Sequence, residues 1–127
     1  MKILVTGAKG FIGKHLCLAL ERKGHKCFKY DIDKSEDDLL NYLNECDFIY
    51  HLAGINRPMS IDEFYNGNTN FTKHLVDLVL ENKPQIPVVF SSSIQACLDN
   101  DYGKSKKLAE DFLLSSPLNV FIYRLAN

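Results

Sequence analysis

Val5-Thr6-Gly7-Ala8-Lys9-Gly10-Phe11-Ile12-Gly13 places three glycines, three residues apart, between two apolar patterns of different period. Before it, Ile3-Leu4-Val5 reads as a short buried strand. After it, Ile12, Leu16, Ala19 and Leu20 recur at helical steps, and Gly24 supplies a helix stop. The glycines therefore occupy a strand-to-helix turn. Gly7 can take backbone angles closed to other residues, Gly10 lets a ligand approach the backbone, and Gly13 lets the helix pack tightly on the strand. The free N–H groups and positive end of that helix favour an anion such as a pyrophosphate. A glycine-rich turn with no ligand is the alternative at this point.

The 127 residues suffice for one domain, read here as a single dinucleotide-binding unit over 1–127. A domain of this size buries roughly two-thirds of its unfolded surface. Hydrophobic residues make up 46% and charged residues 24%, an ordinary globular balance. The net charge of −1 offers no basic footprint for nucleic acid or an anionic membrane. No apolar run reaches the roughly 18 residues a membrane span needs, and the N-terminus reads as a strand, not a signal peptide. Cys17, Cys27, Cys46 and Cys97 show no C-x-x-C spacing. Cys17 and Cys27 fall on core elements and read as small apolar residues in a reducing cytoplasm. His15, His25, His51 and His74 have no metal-ligand spacing, so no metal is assigned.

Outward from the first helix, Lys26-Cys27-Phe28-Lys29-Tyr30 reads as a second strand ending in Asp31. An acidic residue at this distance past a glycine turn can accept hydrogen bonds from adenosine ribose hydroxyls and would repel a 2′-phosphate. Asp31 thus favours NAD over NADP, although Lys34 could meet a 2′-phosphate, and a solvated strand-end carboxylate is the plain reading. Ser35 is expected to cap a helix, with Asp38 completing a capping box and Leu39, Leu40 and Leu43 facing inward. Phe48 to Gly54 reads as a third strand, with His51 structural within it. Arg57 is either a phosphate- or sugar-binding residue or an exposed loop arginine. Residues 60–82 read as helix in two parts. Pro87-Val88-Val89-Phe90 is a fourth strand carrying Ser91-Ser92-Ser93 at its carboxyl end, the side on which open α/β sheets bind ligands. A further helix carries Leu108, Ala109, Phe112 and Leu113 inward, and Asn119–Tyr123 forms a fifth strand. The expected fold is a doubly wound, Rossmann-like parallel sheet of about five strands with helices on both faces. Its switch point lies at the glycine turn, with the second strand on one side of the first and the third on the other.

Tyr102 and Lys106 stand one turn apart at the start of the last helix, so both project from one face. A tyrosine holds its proton to about pH 10. A nearby ammonium favours the phenolate, and bringing it near neutrality takes roughly 4 kcal/mol. Tyr102 could then exchange a proton with a substrate oxygen while Ser93 hydrogen-bonds the same oxygen. Ser92 is the fallback partner. A reactive thiol at Cys97 is a minor alternative.

The joint pattern resembles the extended short-chain dehydrogenase/reductase superfamily, which includes NAD-dependent epimerases and dehydratases. It combines the spaced glycines after Thr6, Asp31 ending strand two, Leu52-Ala53-Gly54 ending strand three, the serine run, and Tyr102-x-x-x-Lys106 opening the next helix. The resemblance implies cofactor contacts from Gly7, Lys9, Gly10, Phe11, Ile12, Gly13, Asp31, Leu52, Ala53, Gly54, Tyr102 and Lys106. It implies a catalytic set of Ser93, Tyr102 and Lys106. Asn68-Thr69-Asn70-Phe71-Thr72 resembles an Asn-x-x-x-Thr element in which Asn68 supports the lysine through water and the threonine packs near the helix–sheet seam. Ser91 to Ala96, Asp99-Asn100 and His51-Leu52-Ala53-Gly54 with Asn56-Arg57-Pro58 resemble the capsular-polysaccharide sugar-nucleotide reductases. Those enzymes reduce 4-keto UDP-sugars, usually with NADPH, and Asp31 departs from that preference. What the resemblance implies is an NAD(P)-dependent epimerase, dehydratase or reductase acting on a nucleotide sugar. It also implies a cytoplasmic location and a homodimer in the full-length protein. The family continues past Tyr123–Asn127, so an N-terminal portion lacking the substrate domain is expected, and the portion itself may lack turnover. A dinucleotide-sensing module without chemistry is the competing reading.

Overall fold

The computed structural model describes residues 1–54 and 60–126. Strands β1 (Lys2–Thr6), β2 (Lys26–Tyr30), β3 (Phe48–His51), β4 (Pro87–Ser93) and β5 (Asn119–Leu125) form one sheet in the order β2-β1-β3-β4-β5. Every neighbouring pair is parallel. The chain leaves β1 to one side for β2 and returns to the other side for β3. The carboxyl ends of β1 and β3 therefore open a cleft at the glycine turn, as the sequence predicts.

Helix α1 (Phe11–Arg22) packs Cys17 and Leu20 against Ile3 and Val5 on one face of the sheet. On the other face lie α2 (Glu36–Glu45), α4 (Phe71–Asn82) and α5 (Asp101–Ser115). Leu39, Leu43, Leu75, Val76, Val79, Ala109 and Leu113 from these helices close over Leu4, Ile49, Val88 and Phe90. Helices thus occupy both faces, but unevenly. Beyond α1, Tyr50, Val89, Phe121 and Tyr123 line a broad apolar groove of about 550 Å³.

Local chemistry explains the element ends. Gly24, at φ +88°, ends α1 in the left-handed conformation. Ser35 Oγ accepts from the Asp38 N–H at 3.1 Å, and Asp38 Oδ2 accepts from the Ser35 N–H at 3.0 Å, so the capping box at α2 is complete. The two-part helix over 60–82 is α3 (Ile61–Phe64) and α4 joined by a π-helical turn, Tyr65–Asn70. The extra residue in that turn directs Asn68 into the interior. Three strand ends differ from expectation, and one of them is β5, which runs on to Leu125. Strand β3 stops at His51 because Leu52–Gly54 leave the ladder. Strand β4 runs on through the serines because all three pair with β5, Ser93 opposite Leu125.

Candidate functional site

At the glycine turn, Gly7 has φ +69°, and a Cβ there would lie 2.7 Å from the Ala53 nitrogen. Only glycine gives the turn that angle and lets β3 come so close. A Cβ on Gly13 would collide with the Gly7 carbonyl, which accounts for the tight seating of α1. No side chain caps α1 among the described residues. Its first-turn N–H groups instead face a cavity of about 390 Å³ whose walls include Gly10, Phe11, Ile12 and Gly13. Helices α2 and α5 differ, being capped by Ser35 and Asn100.

Across that cavity stand Ser93, Tyr102 and Lys106. Asn100 Oδ1 accepts from the Gly103 N–H at 2.7 Å and starts α5, so Tyr102 and Lys106 face inward one turn apart. Ser93 and Tyr102 line the same cavity, and Ser93 Oγ accepts from the Gln95 N–H at 3.1 Å. Ser92 points the other way and donates to Glu110. Alternation along β4 thus separates the two candidate serines: Ser92 is tied to Glu110, and Ser93 is the one that eases Tyr102 ionisation.

Burial raises the Tyr102 pKa above its ordinary value, and Ser93 partly offsets this. The phenolate expected from Lys106 is therefore not pre-formed. Lys106 Nζ donates to the Ser91 carbonyl at 3.1 Å and lies 4.9 Å from the Phe90 ring centre. Lys106 is 4% exposed, and burial lowers its pKa to about 8, with Glu110 opposing the fall.

Asn68 is buried against this lysine. A Cβ on Gly54 would lie 2.5 Å from Asn68 Oδ1 and 3.1 Å from Lys106 Nζ, so both polar atoms converge beside the Gly54 backbone. Asn68 Nδ2 donates to Ser105 Oγ at 3.0 Å, and Ser105 Oγ donates to the Tyr102 carbonyl at 2.8 Å.

A second cavity of about 610 Å³ shares Gly7, Gly10, Leu52 and Gly54 with the first and extends to Lys9, Asp31 and Ala53. Asp31 Oδ2 accepts from the Lys9 N–H and Oδ1 from the Ile32 N–H, each at 2.8 Å. A carboxylate has about four acceptor positions, so each oxygen retains capacity for a ribose hydroxyl. The Lys9 ammonium pairs with Asp33 at 2.9 Å. Arg57, with Asn56 and Pro58, lies outside the described residues.

Two buried polar networks escaped the sequence reading. Glu110, 2% exposed, takes both Nε and Nη2 of Arg124, at 2.9 and 2.6 Å. His51, fully buried, joins Thr6 to Thr72. The spacing Lys106 to Glu110 put the glutamate on the inward face, which was the available signal. Its arginine partner comes from a strand expected to end one residue earlier.

The model of the NAD dependent epimerase/dehydratase family matches residues 3–123. UDP-2-acetamido-2,6-beta-L-arabino-hexul-4-ose reductase of Pseudomonas aeruginosa is 44% identical over 132 residues, covering 100% of this chain and 36% of the reductase. The capsular polysaccharide assembling protein CapF of Staphylococcus aureus superposes with a TM-score of 0.80 at 40% identity, over 98% of this chain and 35% of that one. UDP-glucuronic acid 4-epimerase of Bacillus cereus, crystallised with NAD, superposes with a TM-score of 0.85 over 100% of this chain and 57% of that one. At 22% identity it shows the shared fold alone. The chain spans about a third of the length of the reductase it matches. With the glycine turn, the parallel sheet and the family match in agreement, this chain belongs to the NAD dependent epimerase/dehydratase family.

Proposed function

We propose that this chain is the nicotinamide-dinucleotide-binding, catalytic-group-bearing part of an oxidoreductase or epimerase acting on a nucleotide sugar. One observation carries the reading: the uncapped start of α1 and the Ser93–Tyr102–Lys106 set open on the same cavity. The residues present suit a dinucleotide. Gly7, Gly10 and the first turn of α1 would hold the pyrophosphate, Asp31 the adenosine ribose, and Leu52–Gly54 the inner ribose. The bound nicotinamide would supply hydride transfer at the carbohydrate carbon. Tyr102 would move the matching proton at its hydroxyl, with Ser93 hydrogen-bonding the same substrate oxygen. Lys106, held by the Ser91 carbonyl and flanked by Asn68, would supply the positive charge that favours the phenolate. Because burial holds Tyr102 protonated, that charge has to act in the loaded site, where the dinucleotide excludes water and strengthens the interaction.

The similarity to a UDP-sugar 4-ketose reductase and to a capsular polysaccharide assembling protein supports keto-sugar reduction for surface polysaccharide. Asp31 supports NAD in preference to NADP. A cytoplasmic location agrees with four free cysteines. No helix among the described residues is long and apolar enough to cross a membrane. A homodimer of a longer protein completes the reading. Titrating the folded chain with NADH and NADPH, followed by nicotinamide fluorescence, tests it. Tighter NADH binding, weakened about tenfold by Asp31→Ala, is expected. NADPH preference would overturn Asp31 as the selector, and no binding of either would contradict the site.

A further inference from the structure

We propose that His51 is a positioning residue: a neutral imidazole locked as one tautomer, it ties the threonine preceding the glycine turn to the π turn that presents Asn68 to Lys106. Thr6 Oγ1 accepts from the Leu52 N–H at 3.1 Å and the Ala53 N–H at 3.2 Å. A hydroxyl has two acceptor positions and one hydrogen. With both positions filled, Thr6 donates its hydrogen to His51 Nδ1, 2.6 Å away. That nitrogen is then unprotonated, and the neutral ring carries its hydrogen on Nε2. Nε2 donates to Thr72 Oγ1 at 2.8 Å, and Thr72 Oγ1 donates to the Asn68 carbonyl at 2.9 Å. Four links run in one direction, from the backbone beside Gly54 to the backbone of Asn68.

The surroundings hold the ring neutral. His51 is fully buried between Phe90, at 5.3 Å, and Phe71, at 5.6 Å. Burial, with Lys106 adding to it, pushes its pKa down to about 3. An imidazolium would need an acceptor at Nδ1, where Thr6 has none left. The relay therefore works in one sense only. It sets Leu52 and Ala53 against the glycine turn at one end and fixes the Asn68 backbone at the other. The inference rests on the reading of that turn and of Asn68 as parts of a dinucleotide-dependent site.

Nitrogen-15 spectra of the imidazole in the 127-residue chain test the arrangement without any cofactor. The expected result is a protonated Nε2, an unprotonated Nδ1 and no titration between about pH 5 and pH 8. A protonated Nδ1, or titration across that range, overturns the proposal. Amide hydrogen exchange reads the transmission. His51→Leu fills the space but passes no hydrogen bond, and exchange across residues 68–72 is expected to rise about tenfold. His51→Gln, whose amide can still donate to Thr72, is expected to restore most of the protection. Equal exchange in His51→Leu and the parent, or in His51→Leu and His51→Gln, means that the ring only fills volume and overturns the role. Should His51→Leu not fold, Thr72→Val cuts the far end of the relay and carries the same expectation for residues 68–71. None of these readouts involves a dinucleotide. Failure here leaves the dinucleotide reading standing, and a failed NADH titration leaves this one standing.

Discussion

Lys106 and Glu110 sit one turn apart on α5, and both are almost completely buried, yet the protein treats them differently. Burial alone would raise the pKa of the glutamate. Two hydrogen bonds from Arg124 and one from Ser92 outweigh burial and hold the carboxyl below its ordinary value. Lys106 has the Ser91 carbonyl and a weaker pull from Glu110, and these do not offset its burial. No described carboxylate lies within ion-pair distance of its ammonium, and its pKa falls from 10.5 to about 8. That fall corresponds to about 3 kcal/mol of unfavourable burial. The glutamate is a finished structural pair, anchoring β5 and β4 to α5. The lysine is a buried charge that the fold alone does not justify, which is how functional groups stand out physically.

The largest expected effect breaks the finished pair. Arg124→Leu leaves Glu110 buried without its cation, with only the Ser92 hydrogen bond remaining, and the thermal unfolding midpoint should fall by more than about 10 °C. A fall of a degree or two would mean that Glu110 reaches solvent and that the contrast with Lys106 is false. Next, Lys106→Met should stabilise the chain by about 2 kcal/mol at pH 7 in denaturant unfolding. The sign follows from linkage. The folded state holds the Lys106 proton less tightly than the unfolded chain does. The penalty is therefore full below about pH 8 and disappears as pH rises toward 10.5. The gain from Lys106→Met should shrink over the same window. The smallest effect trims one bond from the finished pair. Ser92→Ala should cost about 1 kcal/mol and leave dinucleotide affinity unchanged, whereas a loss of affinity would bring Ser92 back as the serine of the site.

Most of the frame was legible because its causes are local. The glycine spacing, the Ser35–Asp38 capping box and the short apolar strand runs each act within a few residues, and the structure shows each as expected. The parallel order followed from strands alternating with helices. The environment of the site was less legible because it depends on partners distant in sequence. Nothing near Tyr102 announces that burial, and not Lys106, dominates its hydroxyl, since that depends on where the Lys106 side chain settles against Ser91 and Phe90. Helix spacing alone placed Tyr102 and Lys106 on one face. It could not say that the ammonium would hydrogen-bond the Ser91 carbonyl. The role of His51 was hidden for the same reason: Thr6 and Thr72 are 45 and 21 residues away from it. An apolar strand with one histidine reads simply as core.

The most direct measurement pairs stability with binding in one variant. Lys106→Met and the parent would be compared by denaturant unfolding and by NADH titration at pH 7. The expected result is a more stable chain that binds NADH at least tenfold more weakly, as a buried ammonium proposed to serve the ligand at the expense of the fold requires. A variant that is less stable and binds NADH as tightly as the parent would make Lys106 a structural residue and contradict the account.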